Sequence, residues 1–226
     1  MKTFKKTNKN KGIYVSKKDS AEEAIGKIEK NTDKFILTYG QFSLIDALAA
    51  ILKQTGKSDV IISTWTAAHS HLDRTAELIE SLSLKSFRMI VDRSFKTRQQ
   101  KYYDHMVDLF GIESIREITT HAKFMVISND LFNVVVRTSM NLNENPRLEN
   151  IEISENKEFA DFFIELTDEL FNEYSPGVSS CSVPKLDGIE NTNKYKLVES
   201  GFIRQYELNE PKYTHEIAEK GEIIEI

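Results

Sequence analysis

A single cysteine, Cys181, in 226 residues leaves the chain unable to form an internal disulfide or a thiolate zinc site. No uninterrupted apolar run approaches the ~20 residues needed to span a bilayer. No apolar segment follows the lysine-rich N-terminus, as a secretory signal would require. The expectation is a soluble, cytoplasmic protein with no membrane association. Internal repeats of useful period are also missing. At this length, one sizeable α/β domain with an appendage is expected rather than two full domains.

What is present is charge, unevenly spread. The net charge is −5, yet residues 1–141 hold 22 Lys and Arg against 16 Asp and Glu, while 142–226 hold 8 against 19. The first part, at +6, permits a polyanionic ligand; the second, at −11, disfavours one. The run KSFRMIVDRSFKTRQQKYY, 85–103, combines six cations, one Asp and four aromatics, a mixture that contacts phosphates and stacks on bases. It equally suits a solvated helix face beside a strand. On the first reading, Lys85, Arg88, Arg93, Lys96, Arg98, Lys101 and, further on, Arg137 are candidate nucleic-acid-binding residues.

Residues 1–18, with seven lysines, read as a flexible basic arm. Ser20 and Glu23 form a capping-box pattern. Strand candidates KFILTYG, DVIISTW and FRMIVD then alternate with helical patterns closing at Gly56 and Gly111, and NKEFADFFIELTDELFNEY is a final amphipathic helix. This rhythm predicts an α/β fold over residues 19–175 with a mixed, mostly parallel central sheet and helices on both faces. Residues 176–226 read as a polar linker and a small C-terminal extension suited to docking a protein partner. The polar loops TYGQFS, STWTAA and DRSF follow predicted strands, which marks the edge where open α/β sheets bind ligands.

The stretch HAKFMVISNDLFNVVVRTSMN, 121–141, is a hairpin with polar residues at both outer ends. Alternation puts His121 and Lys123 on one face of the first strand, and Arg137, Ser139 and Asn141 on one face of the second. A turn at Asn129–Leu131 would set His121 opposite Ser139 and Lys123 opposite Arg137. Two opposed cations call for an anion between them, and a phosphate suits the gap. Glu149 and Glu152 follow closely, and either could orient the imidazole of His121.

The set His121-Ala-Lys123, Ser139-Met-Asn141 and Asn150-Ile-Glu152 resembles the HKD motif of the phospholipase D superfamily of phosphodiesterases and nucleases, and the resemblance covers roughly residues 20–175. It implies a phospholipase D/nuclease-like fold and a catalytic set of His121, Lys123, Ser139, Asn141 and Glu152. It also implies attack by His121 on a phosphodiester through a phosphohistidine, with no metal and no cofactor, while Lys123 and Asn141 hold the nonbridging oxygens. Such chemistry needs two histidines, and a single-motif chain meets the need as a homodimer that joins two motifs. Three departures stand out: Ser128 replaces the family's Asp, Thr138 replaces the Gly before the Ser, and the His-to-Ser interval is longer. DNA, ahead of RNA, is the expected substrate. One alternative is a catalytically degenerate dimer that binds nucleic acid or a partner protein. The other is a zinc metallohydrolase, because His69, His71 and Asp73 resemble the H-x-H-x-D-H motif of the metallo-β-lactamase superfamily, with Arg74 in place of its last histidine.

Overall fold

The computed structural model describes residues 11–81, 84–143 and 146–178, together with the backbone of residues 215–217 and 223–225. In chain order the elements are β1 (Lys11–Ser16), α1 (Ala21–Ile25), β2 (Thr32–Thr38), α2 (Leu44–Thr55), β3 (Asp59–Thr64), α3 (His69–Ser81), β4 (Ser86–Asp92), α4 (Ser94–Arg98) and α5 (Gln100–Phe110). A 3-10 turn leads to β5 (Ile115–Ile118), and β6 (Phe124–Ser128), β7 (Asn133–Thr138), β8 (Glu149–Glu155) and α6 (Lys157–Glu173) complete the main unit.

Local chemistry sets the helix ends. The Ser20 hydroxyl accepts from Glu23 N at 3.2 Å. Ser43 and Asp46 form a reciprocal capping box, and α2 stops at Gly56, whose φ of +73° is the left-handed conformation glycine adopts without a Cβ penalty. The single helix expected to close at Gly111 is broken at Gln99 (φ −143°, ψ 57°) into α4 and α5. There the Gln99 side chain accepts the Thr66 hydroxyl at 3.0 Å.

The eight-stranded sheet has the order β1-β2-β8-β7-β6-β3-β4-β5. Three of its pairings are parallel and four antiparallel, so the sheet is mixed as expected but mostly antiparallel rather than mostly parallel. The reason is connectivity. Parallel neighbours need a long crossover, usually a helix, but β6, β7 and β8 follow one another without helices and form a meander inserted between β2 and β3. The basic arm also needs correction, since residues 11–16 pair with β2 as a parallel edge strand. The remainder of that arm, 1–10, lies outside the described residues.

Alternation along the strands divides the sheet into two faces. Ile36, Val60, Ile62, Met89, Met125, Val136 and Ile151 join Ala47, Leu48, Ile51, Leu72 and Met106 of the helices in the main core. On the other face α6 packs against β6 and β7, with Phe124 and Phe163 rings 4.6 Å apart. Helices therefore cover both faces, unequally. Strand directions place the C-terminal ends of β2, β3, β4 and β7 and the N-terminal ends of β6 and β8 along one edge of the sheet.

The chain divides into two compact units, residues 2–184 and a second comprising 185–226 with Met1. In the second, β9 (His215–Ile217) pairs antiparallel with β10 (Ile223–Glu225). The expected linker and extension otherwise lie, from residue 179, outside the described residues. Among the described residues, no helix is long and apolar enough to cross a membrane.

Candidate active site

The hairpin register decides which side chains can meet. Phe124, not Lys123, stands opposite Arg137, and Thr138 N donates to the Lys123 carbonyl at 3.2 Å. A slip of one residue exchanges the faces of a strand, so Lys123 and Arg137 do not oppose each other. The turn sets this register. The Asn129 side-chain oxygen accepts from Leu131 N (2.9 Å) and Phe132 N (2.8 Å), and Asn129 N donates to the Phe132 carbonyl at 2.8 Å.

His121 lies exposed just ahead of β6. The Lys123 Nζ is 3.2 Å from its Nδ1 and donates to its carbonyl at 3.0 Å. Partial burial holds the Lys123 ammonium below the usual lysine pKa, opposed by the Glu149 carboxylate and aided by Arg147. At the end of β7 the Ser139 hydroxyl donates to Glu149 Oε2 and accepts from Asn150 N at 3.0 Å. Arg147 Nε donates to Glu149 Oε1 at 2.7 Å, so this carboxylate, 5% exposed, is held from two sides. The segment carrying Asn141 then passes the start of β6 to reach the loop after β3. There Leu142 N donates to the Thr66 carbonyl at 3.2 Å and Ala68 N to the Leu142 carbonyl at 2.9 Å. Asn141 is buried, at 6% exposure, on this crossing.

The loops after β3 and β4 close the other side. Ser63 Oγ donates to the Ala122 carbonyl at 2.9 Å. Asp92 accepts from Thr120 N and Ser94 N, each at 3.0 Å, and from the Ser94 hydroxyl, which pins the backbone immediately before His121. Burial raises the pKa of this carboxyl, but those hydrogen bonds and the Arg98 charge outweigh it and hold it below the usual aspartate range. Trp65 lies 5.6 Å from the His121 ring, centroid to centroid, at a 49° tilt. The Arg98 guanidinium sits 3.9 Å from the centre of the Trp65 ring.

His121, Lys123, Ser139 and Asn141 are thus brought to one edge of the sheet. Glu152 is not: it faces α6 and pairs with Arg137 at 2.6 Å, while Arg137 lies over Phe159 at 5.2 Å. Glu149 is the carboxylate at this edge, bonded to Ser139 and Arg147. Sequence reasoning missed Asp92, Trp65 and Arg147, although the first two sit in the loops DRSF and STWTAA that alternation had marked as the ligand edge.

The predicted cationic run does not form one surface. Lys85 is at the opposite edge, 3.9 Å from Asp130, separated from Arg93 by the ~20 Å length of a seven-residue strand. Arg88 faces α6 and pairs with Asp168. Arg93, Lys96, Arg98 and Lys101 follow β4 on the site's edge, with Lys96 lying 4.8 Å over the Tyr103 ring. Of the departures from the HKD pattern, Ser128 is at the far end of β6, bonded to Asn133 at 2.9 Å. Thr138 turns its hydroxyl to the Asn150 carbonyl at 2.7 Å.

The zinc constellation is separated. His69 meets His105 at a 40° tilt, centroids 4.3 Å apart, and Tyr102 edge-on at 4.4 Å, and Asp73 pairs with His105 at 2.6 Å. His71, by contrast, is buried and lines a hollow of about 280 Å³ with Gln41, Ser43, Asp46 and Arg74. Among the described residues, no group of three or more His, Cys, Asp or Glu side chains is placed to hold a metal ion.

No family model and no curated protein matches the sequence. Among solved structures the chain is similar to Nuc, a phospholipase D family member from Salmonella typhimurium, at 15% identity and a TM-score of 0.45, over 66% of this chain and 99% of that one. It is similar to NucT from Helicobacter pylori at 14% identity and a TM-score of 0.46, over 64% of this chain and 99% of that one. It also resembles polyphosphate kinase from Porphyromonas gingivalis at 16% identity and a TM-score of 0.44, over 66% of this chain and 27% of that one.

Proposed function

We propose that this protein is a metal-independent phosphodiesterase, an endonuclease acting on DNA, that works through a phosphohistidine formed where two copies of the chain meet. The observation that carries the reading is the exposed His121 with the Lys123 ammonium 3.2 Å from its ring, on the same sheet edge as Ser139, Asn141 and the anchored Glu149. A neutral imidazole nitrogen is a competent nucleophile, and an adjacent ammonium stabilises charge developing on nonbridging phosphate oxygens.

In the proposed reaction a His121 ring nitrogen bonds to phosphorus as the bond to the leaving ester oxygen breaks. That oxygen takes a proton from the His121 of the second copy. Water, deprotonated by the same second imidazole, then attacks phosphorus, and the P–N bond breaks to return His121. Glu149 acts as a positioning residue that fixes Ser139 and Arg147. Arg98 and Arg93, beside the site, supply phosphate contacts.

The test is cleavage of labelled DNA and of bis(p-nitrophenyl) phosphate in EDTA. Turnover in the wild type, reduced on the order of 10³-fold or more by His121→Ala, is expected, with a phosphorylated histidine recovered after acid-free quenching. Wild-type protein that binds DNA in EDTA and never cleaves it would make the chain a binding module instead.

A further inference from the structure

We infer that Trp65, with Arg98 stacked on it, is a nucleobase platform beside His121, so that the site takes a phosphodiester whose neighbouring base is unpaired. The inference rests on the proposed nuclease reading and names its substrate class. Trp65 follows β3, Arg98 ends α4 and His121 precedes β6, so three separate elements converge at the site's edge, with Arg98 over the indole and His121 beside it. The guanidinium is fixed there, with Arg98 Nε donating to Ser94 Oγ at 3.1 Å and an η-nitrogen to the Trp65 carbonyl at 3.2 Å. Ser94 is itself held by Asp92. Trp65 is only partly buried and Arg98 is exposed.

A cation–aromatic pair of this kind offers a π-face to any base and a charge to the phosphate beside it. A base within a duplex is already stacked and paired, and reaches such a platform only from a single strand or after extrusion. A phosphate held at His121 and Lys123 carries its own nucleoside within reach of the indole, 5.6 Å from the imidazole. The rival reading is a structural clamp in which Arg98 merely ties α4 to the β3 loop. A clamp affects melting and makes no distinction between strands with and without bases.

Trp65 is the chain's one tryptophan, so its fluorescence reports this position alone. The full-length protein is mixed, in EDTA and ahead of turnover in a stopped-flow cell, with an oligothymidylate, with an abasic strand of equal length and charge, and with a duplex. The oligothymidylate is expected to quench the indole and to bind about tenfold more tightly than the abasic strand. Trp65→Ala, followed by the anisotropy of labelled strands, is expected to close that gap, and Trp65→Phe to restore part of it. Equal quenching and equal affinity for the strands with and without bases would overturn the platform, as would a duplex that binds and quenches as well as the single strand. Failure of the nuclease reading looks different. Base-dependent quenching without cleavage of DNA or bis(p-nitrophenyl) phosphate removes catalysis and keeps the platform, whereas cleavage without base-dependent quenching removes the platform alone.

Discussion

Two glutamates three residues apart have opposite fates. Glu149 is 5% exposed and holds Ser139 and Arg147 at the site, while Glu152 pairs with Arg137 on the α6 face. Glu149→Gln is therefore expected to lower cleavage in EDTA about tenfold or more, and Glu152→Gln to change it by less than about twofold, since an exposed ion pair contributes little. A similar loss in both would place the register, and hence the site, in error. Local spacing made His121, Lys123, Ser139 and Asn141 legible in the sequence, because each pair is two residues apart at a strand end. The choice between the glutamates was not legible. It depends on the pairing of β8, which sets Glu152 opposite Arg137 on β7 and Glu149 opposite Thr38 at the end of β2, and such a long-range register leaves no trace in hydrophobic alternation. A pH effect also belongs to this scale. Lys123 has its pKa lowered, chiefly by partial burial, so its ammonium is lost at a lower pH than that of a free lysine. DNA binding that depends on this ammonium is expected to weaken below the ordinary lysine value of about 10.4, and Lys123→Arg is expected to hold that binding to higher pH.

Elements are held together by buried polar pairs that the sequence did not disclose. Tyr103 of α5 donates its hydroxyl to Glu117 of β5, a carboxylate 1% exposed, and so ties the helix to the last strand of the sheet. Burial first, then the Glu117 hydrogen bond and charge, push the Tyr103 pKa far above its usual value. A folded pKa raised in this way gives stability that is fully present below the unfolded pKa of about 10 and is lost as pH rises above it. Tyr103→Phe is expected to cost about 1–3 kcal/mol in urea unfolding at neutral pH and to flatten the alkaline loss of stability. An unchanged midpoint would mean that the hydroxyl contributes nothing. Most helices were legible from capping and periodicity, and the strands from short apolar runs. Strand order was not, because the β6-β7-β8 meander enters the sheet between β2 and β3, and pairing partners so distant in sequence have no local signature. The break at Gln99 was also hidden, since it follows from a contact with Thr66 in another loop.

At the scale of the whole molecule, the proposed chemistry raises a question of stoichiometry. Once a His121 nitrogen is bonded to phosphorus, that imidazole cannot also protonate the leaving oxygen, so a second proton donor is required. Among the other histidines whose side chains are described, His69 and His105 meet ring to ring with centroids 4.3 Å apart, His105 pairs with Asp73, and His71 is buried. A second copy related by a two-fold axis would bring an identical His121 to the same phosphate. Mixing separates the two arrangements. Wild-type and His121→Ala chains are unfolded, combined at fixed total concentration and refolded together, and cleavage in EDTA is measured against the wild-type fraction. If each active site needs a His121 from both copies, mixed dimers are dead and activity follows the square of that fraction, so an equal mixture retains roughly a quarter of full activity. If each chain supplies its own acid, activity falls linearly and the same mixture retains about half. The square law is the expected result. A linear law would move the general acid into the chain itself, with His69, at the same sheet edge, the first residue to replace.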